Sequence, residues 1–259
     1  MPELPDLTVY AENLHRLIAG RKIAAVNYHK DQGLNVSVQQ LSNALKQCEV
    51  ERVERSGKEI CIRVSNGSAL YIHLMLTGGF VVTTESRSLP FPIFTLNFSD
   101  GSSLLVNDPK GWAKIRLNPE SEGAAVDALG ITVDYLKQTF AKKPKMLAKA
   151  FLIDQQLIRG IGNAYADEIL WAARISPKSA VGKLPPEVVQ TLADTIPTVL
   201  NEATEHLRSN YPGIISGEVR DFLKIHNPSL ELSPTGHPIL KETVSSKTTY
   251  FTDEQRLYR

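Results

Sequence analysis

The chain has 259 residues, is 42% hydrophobic and carries a formal net charge of +1. That length suits one large domain or two ordinary ones with real cores, and a charge so near zero does not by itself announce a nucleic-acid partner. No apolar run approaches the ~18 residues of a membrane span, and MPELPDLTVY lacks the basic stretch and apolar block of a secretory signal. These features read as a cytoplasmic chain with no membrane partner.

At the start, Leu7, Tyr10, Leu14, Leu17 and Ile18 recur at helical spacing, with Asp6 as the predicted N-cap and Gly20 beyond the end. Strand-like runs then dominate to about residue 118: IAAVNYH (23–29), EICIRV (59–64), ALYIHLML (69–76), FTLNF (94–98) and SLLVND (103–108). Asn66-Gly67 and Asp100-Gly101 stand at hairpin positions. The two cysteines, Cys48 and Cys61, lie in this stretch, allow at most one bridge, and read as small buried hydrophobes. The segment is predicted to be a β-rich domain of two packed sheets.

Near residue 120 the character changes. SEGAAVDALG (121–130) reads as a linker, and TVDYLKQTF (132–140), KMLAKAFLID (145–154), NAYADEILWAAR (163–174) and PEVVQTLADTIPTVLNEATEHLRS (186–209) show helical apolar spacing. Pro197 is expected to kink the last helix. A Pro/Ser/Gly-rich tail, HNPSLELSPTGHP (226–238), leads to a β-hairpin within 238–251. The predicted fold class is α+β and multidomain: a β-sandwich over 1–125, a helical domain over 126–225 and a small β appendage over 226–259.

Charge is unevenly spread. Residues 141–183 carry eight basic side chains against three acidic ones, a local +5 that leaves the rest of the chain at −4. A local positive patch on a neutral protein fits a DNA face, although charge alone favours a solvated helical surface.

Two constellations carry chemistry. Met1 precedes a small residue, so processing would expose Pro2, whose secondary amine is a nucleophile toward an aldehyde-like carbon and forms an iminium directly. Glu3 beside it is placed to protonate a departing or ring oxygen. Taken alone, Pro2 is as well read as a helix-entry proline. The second is the run from Gln155 to Trp171. There an apolar helix breaks at Gly160 and Gly162 and a new one starts near Asn163. Such a turn lets backbone N–H groups and a helix N-terminus meet a phosphate. Taken alone, it is also an ordinary helical hairpin with glycine caps.

MPELPDLTVY, SGKEI, HLMLTG, NDPKGW and DQQLIRGIGNAYADEILW occur in that order. Together they closely resemble the formamidopyrimidine-DNA glycosylase / endonuclease VIII family over nearly the whole chain. The resemblance implies an N-terminal catalytic β-sandwich, a helical domain with a helix–two-turn–helix motif, and a C-terminal finger hairpin. It implies a monomeric base-excision-repair glycosylase and abasic-site lyase acting on damaged double-stranded DNA in the bacterial cytoplasm or nucleoid. The strand would be cut by β- and δ-elimination through a Pro2 Schiff base. A non-catalytic relative that only binds lesions or nucleic acid is the alternative.

Carried over by position, Pro2 is the nucleophile, Glu3 the general acid, Lys58 the lysine near the lesion phosphate, and Asp6 stands where a second glutamate is usual. Asn163 with Gly160 and Gly162 would grip phosphate. Lys247 stands where the finger usually has an arginine, keeping the charge but losing the bidentate fork. Leu76 and Trp112 would fill the hole left by the everted base. Lys110, near them, lacks the planar contact an arginine makes to the opposite base. The family's usual finger is a four-cysteine zinc site. Here SPTGHPILKETVSSKTTYFTDEQ has no cysteine, so the resemblance is to a zincless branch, with no metal or other cofactor. The hairpin is then expected to hold by packing of Ile239, Val244, Tyr250 and Phe251. The connection NYPGIISGEVRDFLKIHN (210–227) is about a dozen residues short of the loop that covers an everted 8-oxoguanine in that branch of the family, so poor 8-oxoguanine excision is expected.

Overall fold

The structure, a computed structural model, describes residues 1–30, 32–85, 90–120 and 125–259. Part of the expected linker, residues 121–124, lies outside the described residues. The chain folds as two compact units. The first is Met1–Glu122 with His206–Glu218, and the second is Gly123–Glu205 with Val219–Arg259.

The first unit opens on α1 (Leu4–Ile18), three residues earlier than the Asp6 cap implied. Glu3 is the N-cap, and Pro5 falls in the first turn, where a missing N–H leaves no bond unmade. Asp6 is the third helical residue and reaches back: its carboxylate accepts the Glu3 N–H at 2.8 Å. Leu7, Tyr10, Leu14 and Ile18 are buried as their spacing predicts, whereas Leu17 falls off the stripe and is exposed.

Two antiparallel four-stranded sheets follow, as expected. One has the order β1 (Ile23–Tyr28), β6 (Pro92–Phe98), β7 (Ser103–Asn107), β5 (Gly79–Thr83). The other has the order β2 (Val50–Ser56), β3 (Glu59–Val64), β4 (Ala69–His73), β8 (Lys114–Leu117). Their inner faces and the apolar stripe of α1 form one core, in which Ile23, Phe94, Leu96 and Val106 of one sheet join Val53, Ile60, Ile62 and Ile72 of the other. Cys48 and Cys61 are buried free thiols.

The unexpected α2 (Val38–Leu45) starts on a capping box. The Gln40 N–H donates to Ser37 Oγ at 3.1 Å and the Ser37 N–H to Gln40 Oε1 at 2.9 Å. β4 is shorter than the 69–76 run because the chain turns away after His73, with the Gly78 N–H bonded to the Leu74 carbonyl at 3.0 Å. A Cβ on Gly78 would stand 2.3 Å from that carbonyl oxygen, so only glycine fits.

The second unit contains the short parallel pair β9 (Val126–Asp127) and β10 (Ile158–Arg159), and α3 (Val133–Lys142), α4 (Ala148–Ile153) and α5 (Asn163–Ala172). A single long helix, α6 (Pro186–Asn210), continues through Pro197, and the hairpin of β11 (Leu240–Val244) and β12 (Lys247–Phe251) follows. A hairpin of two five-residue strands is marginal by itself. Val244, Tyr250 and Phe251 are buried and Ile239 half-buried, but apolar packing is not the only anchor.

Polar hubs hold it as well. The fully buried Lys149 ammonium donates to Asp167 Oδ1 (2.7 Å), Thr249 Oγ1 (2.7 Å) and the Thr248 carbonyl (3.2 Å). Asp167 Oδ2 accepts the Tyr250 N–H at 3.0 Å and lies 2.7 Å from His226 Nδ1. Glu254 accepts from Thr235 Oγ1 (2.8 Å), Thr252 Oγ1 (3.1 Å), Trp171 Nε1 (3.2 Å) and Arg174 Nη1 (2.7 Å). Desolvation pushes its carboxyl up, and these donors outweigh it to hold the pKa at about 2. Glu168 of α5 receives the N–H groups of Lys224, Ile225 and His226 at 2.8–2.9 Å. Burial still pushes the Glu168 carboxyl above its ordinary value.

Asp167→Ala strands a buried ammonium and is expected to cost about 3–5 kcal/mol in denaturant unfolding, whereas EDTA is expected to leave the melting temperature unchanged. A large EDTA shift together with an indifferent Asp167→Ala would reverse this account of the finger.

Candidate active site

In the first unit, Pro2 and Glu3 are buried at the head of α1, with the Glu3 backbone held by Asp6. The Met1 ammonium pairs with the Glu218 carboxylate. The segment carrying Glu218 lies along α1. Asn13 Nδ2 donates to the Ile214 carbonyl at 2.6 Å, Arg16 to the Pro212 carbonyl at 3.4 Å, and the Tyr10 hydroxyl to the Gly217 carbonyl. Residues 211–227 contain no helix or strand.

Lys58 occupies the two-residue turn Gly57-Lys58 between β2 and β3 and is buried. Gly57 takes φ +58°, the glycine-first geometry of a type II′ hairpin turn. Arg55 ties this turn to α1: its Nε donates to Thr8 Oγ1 and its Nη1 to the Gly57 carbonyl, both at 3.1 Å. Through Arg55, the helix led by Pro2 and Glu3 and the turn bearing Lys58 are joined in one rigid arrangement. Arg55 was not singled out by its sequence, where it is one of several charges along β2.

Leu76, Lys110 and Trp112 are all exposed and sit on two turns organised by Asp108. The Asp108 carboxylate accepts the N–H groups of Lys110 (3.1 Å), Trp112 (2.6 Å) and Ala113 (2.7 Å), and also the hydroxyl of Thr77, next to Leu76. Lys30 answers from the opposite polarity, its ammonium donating to the carbonyls of Gly111 (2.6 Å) and Ala113 (3.4 Å). Desolvation acts to raise the Asp108 pKa, yet these hydrogen bonds outweigh it and hold the carboxyl below its ordinary value. Asp108 and Lys30 were missed in the sequence. An Asp-Pro pair ahead of a glycine is a turn signal that could have pointed to the first.

The second unit brings its four expected residues together. Gly160 has φ +106°, open to glycine and strained for other residues, and Gly162 is the N-cap of α5. Gln155 stitches this turn, accepting the Gly160 N–H at 3.0 Å and donating to the carbonyls of Ile153 (3.0 Å) and Ile161 (2.7 Å). Asn163 is the first residue of α5, and one of its amide protons is already given to the Thr248 carbonyl at 2.9 Å. That bond sets Asn163 beside Lys247, which is exposed at the start of β12.

The residues do not fit a zinc finger. Both cysteines lie in the first unit, and among the described residues no three His, Cys, Asp or Glu side chains gather to hold a metal ion. Where a metal would crosslink the hairpin base, Glu254 collects hydrogen bonds from Thr235 and Thr252.

Asp108→Asn is expected to cost about 1–3 kcal/mol, because it leaves the buried Ala113 N–H and the part-buried Lys110 and Trp112 N–H groups without their charged acceptor. The Asp108 pKa is depressed on folding, so its contribution is complete above the ordinary aspartate value of ~3.9 and is lost as pH falls through the lower folded value. The stability gap between wild type and Asp108→Asn should therefore be flat above about pH 5 and close in stronger acid. A gap that persists unchanged at the acid end would contradict this role.

Comparison with known proteins agrees with the geometry. Residues 1–115 match the formamidopyrimidine-DNA glycosylase N-terminal domain and residues 123–211 the formamidopyrimidine-DNA glycosylase H2TH domain. A formamidopyrimidine-DNA glycosylase of Lactiplantibacillus plantarum is 30% identical over 207 residues, covering 76% of this chain and 75% of that protein. One of Mycoplasma genitalium is 29% identical over 269 residues, covering 97% and 94%. The fold matches that of Lactococcus lactis Fpg, solved in complex with an abasic site containing DNA, at a TM-score of 0.86 and 22% identity, over 96% of this chain and 97% of that one. With both domain types matched in order and a relative at this identity over three quarters of its length, the chain belongs to the formamidopyrimidine-DNA glycosylase / endonuclease VIII family.

Proposed function

We propose that this chain is a bifunctional DNA glycosylase and abasic-site lyase of base excision repair, acting as a monomer on damaged double-stranded DNA in the bacterial cytoplasm or nucleoid. The observation that carries the proposal is the fixed N-terminus. Pro2 and Glu3 are buried at the head of α1, with the Glu3 N–H held by Asp6, in a family whose bacterial relatives are named for this glycosylase activity.

The chemistry follows from those residues. The damaged nucleotide is turned out of the stack at a cost of a few kcal/mol, smallest for damaged or mispaired bases. With Met1 removed, the neutral Pro2 amine attacks C1′. The N–C1′ bond forms as the glycosidic bond breaks, and the base leaves with its electron pair and takes up a proton. Glu3 protonates the ring oxygen, opening the sugar to an iminium on Pro2. The iminium acidifies C2′. Loss of that proton expels the 3′ phosphate by β-elimination, and a further proton loss expels the 5′ phosphate by δ-elimination. Hydrolysis of the iminium frees Pro2. These steps call on no metal or organic cofactor.

Lys58 is assigned to the lesion phosphate, and Gly160, Gly162, Asn163 and Lys247 to the backbone. Leu76 and Trp112 fill the vacated stack, with Lys110 toward the opposite base. While Met1 stays on, the Pro2 nitrogen is an amide and cannot attack C1′, so only processed protein would cleave.

The short connection over 211–227, whose residues 212–217 are laid along α1 by Asn13, Arg16 and Tyr10, supports a lesion preference. It leaves few groups to bond the edge of an oxidised purine, and discrimination needs buried polar groups that a wrong base leaves unpaired. Single-turnover cleavage of one duplex carrying 8-oxoguanine, a hydantoin, a ring-opened purine or a bare abasic site is expected to be slowest for 8-oxoguanine. Equal rates for 8-oxoguanine and the hydantoin would remove this preference, and no cleavage of any of them by Met1-free protein would remove the enzyme reading. Lys58→Ala and Lys247→Ala should each lower the salt slope of duplex binding by ~1 without sequence preference, and Asn163→Ala should weaken binding similarly across sequences. Unchanged binding takes that residue off the DNA face.

A further inference from the structure

Three neighbouring strands of the first sheet present large apolar side chains at one end. β6, β7 and β5 lie side by side in that order. Asn107, the last residue of β7, pairs with Pro92 at the start of β6 and with Gly79 at the start of β5. Phe91 therefore enters β6, Trp112 follows β7 and Leu76 precedes β5, all at this end. Phe91 is 58% exposed, Leu76 54% and Trp112 48%. With strands ~4.8 Å apart, the outer two strands of the three are roughly 10 Å apart, about three base-stacking steps of ~3.4 Å.

Phe91 is the member with no role so far. Its backbone has φ +56°, a genuine outlier for a bulky residue. It is fixed there by the same residue that organises the other two: the Asp108 N–H donates to the Phe91 carbonyl at 3.0 Å, while the Asp108 carboxylate holds Thr77 and the 110–113 turn. A glycine would take this backbone without strain and put no ring in water. Strained backbone of this kind clusters at ligand-contacting positions.

We propose that Phe91 is a third DNA-contacting side chain, whose ring stacks on the base left unpaired opposite the everted nucleotide. This rests on the glycosylase reading, in which Leu76 and Trp112 occupy the vacancy. The orphaned base beside that vacancy offers an uncovered π-face within reach of a second ring at this end of the sheet. Stacking accepts any base because every base has such a face. That suits a site where Lys110 stands without the planar fork that reads the opposite base. The consequence is recognition of the orphaned base as a base, with weak discrimination among the four.

The test compares wild type with Phe91→Gly, which keeps the left-handed backbone and removes the ring. Binding is measured by fluorescence anisotropy on duplexes with a tetrahydrofuran abasic analogue opposite each of the four bases, and opposite a second abasic analogue. Thermal melting of Phe91→Gly is expected at or above that of wild type. Affinity is expected to fall about tenfold on every duplex with a base opposite, in the range seen for single base–aromatic stacks, and by no more than about twofold when the opposite position is also abasic. Equal affinities on the base-bearing duplexes, or the same loss on the doubly abasic one, would overturn the proposal. Failure of wild type to bind any of these duplexes would instead bring down the glycosylase reading on which it rests.

Discussion

Backbone that leaves helix or sheet must still find partners for its N–H groups, and in this protein single buried carboxylates supply them where functional side chains are carried. Asp6 takes the N–H of Glu3, and Asp108 takes those of Lys110, Trp112 and Ala113. Asp167 takes that of Tyr250 in the finger strand, and Glu168 takes three from residues 224–226. A charged acceptor makes stronger bonds than a neutral one, so one side chain can hold an irregular turn as a rigid platform. The arrangement leaves the side chains of Lys110, Trp112 and Lys247 exposed.

The finger shows the same principle replacing a metal. Four thiolates around zinc would crosslink the hairpin base. Here Glu254 gathers two threonine hydroxyls, an indole N–H and a guanidinium, while the buried Lys149–Asp167 pair holds the strand itself. Such hubs are unforgiving of partial loss, because removing one partner leaves an uncompensated buried charge. They also free the finger from metal supply and thiol oxidation.

Much of this was legible in the sequence where the signal is local. The stripe Leu7, Tyr10, Leu14 and Ile18 placed α1, the two Asn/Asp-Gly pairs placed hairpins, and the Gly160–Asn163 run placed the start of α5. Errors came where two local rules compete. Asp6 looks like an N-cap because glutamate seldom caps, yet Glu3 takes that place and Asp6 turns back to it. The capping box of Ser37 and Gln40 was present in the sequence and passed over amid strand-like neighbours. Other features depend on contacts far apart along the chain, such as Lys149 with Thr249 or Lys30 with the 111–113 carbonyls. No spacing rule reaches those. Phe91 was invisible for another reason: in sequence it is one more apolar residue ahead of a strand, and only its exposure and backbone set it apart.

The N-terminal amine is where fold and chemistry meet, so covalent capture there tests the central claim most directly. Met1-free protein, incubated with duplex DNA bearing an abasic site and reduced with borohydride, should give a stable one-to-one adduct whose peptide map places the sugar on the Pro2 nitrogen. Protein that retains Met1, or whose terminus is acetylated, should give none. An adduct on a lysine, or equal trapping by the blocked protein, would contradict the assignment of Pro2 as the nucleophile.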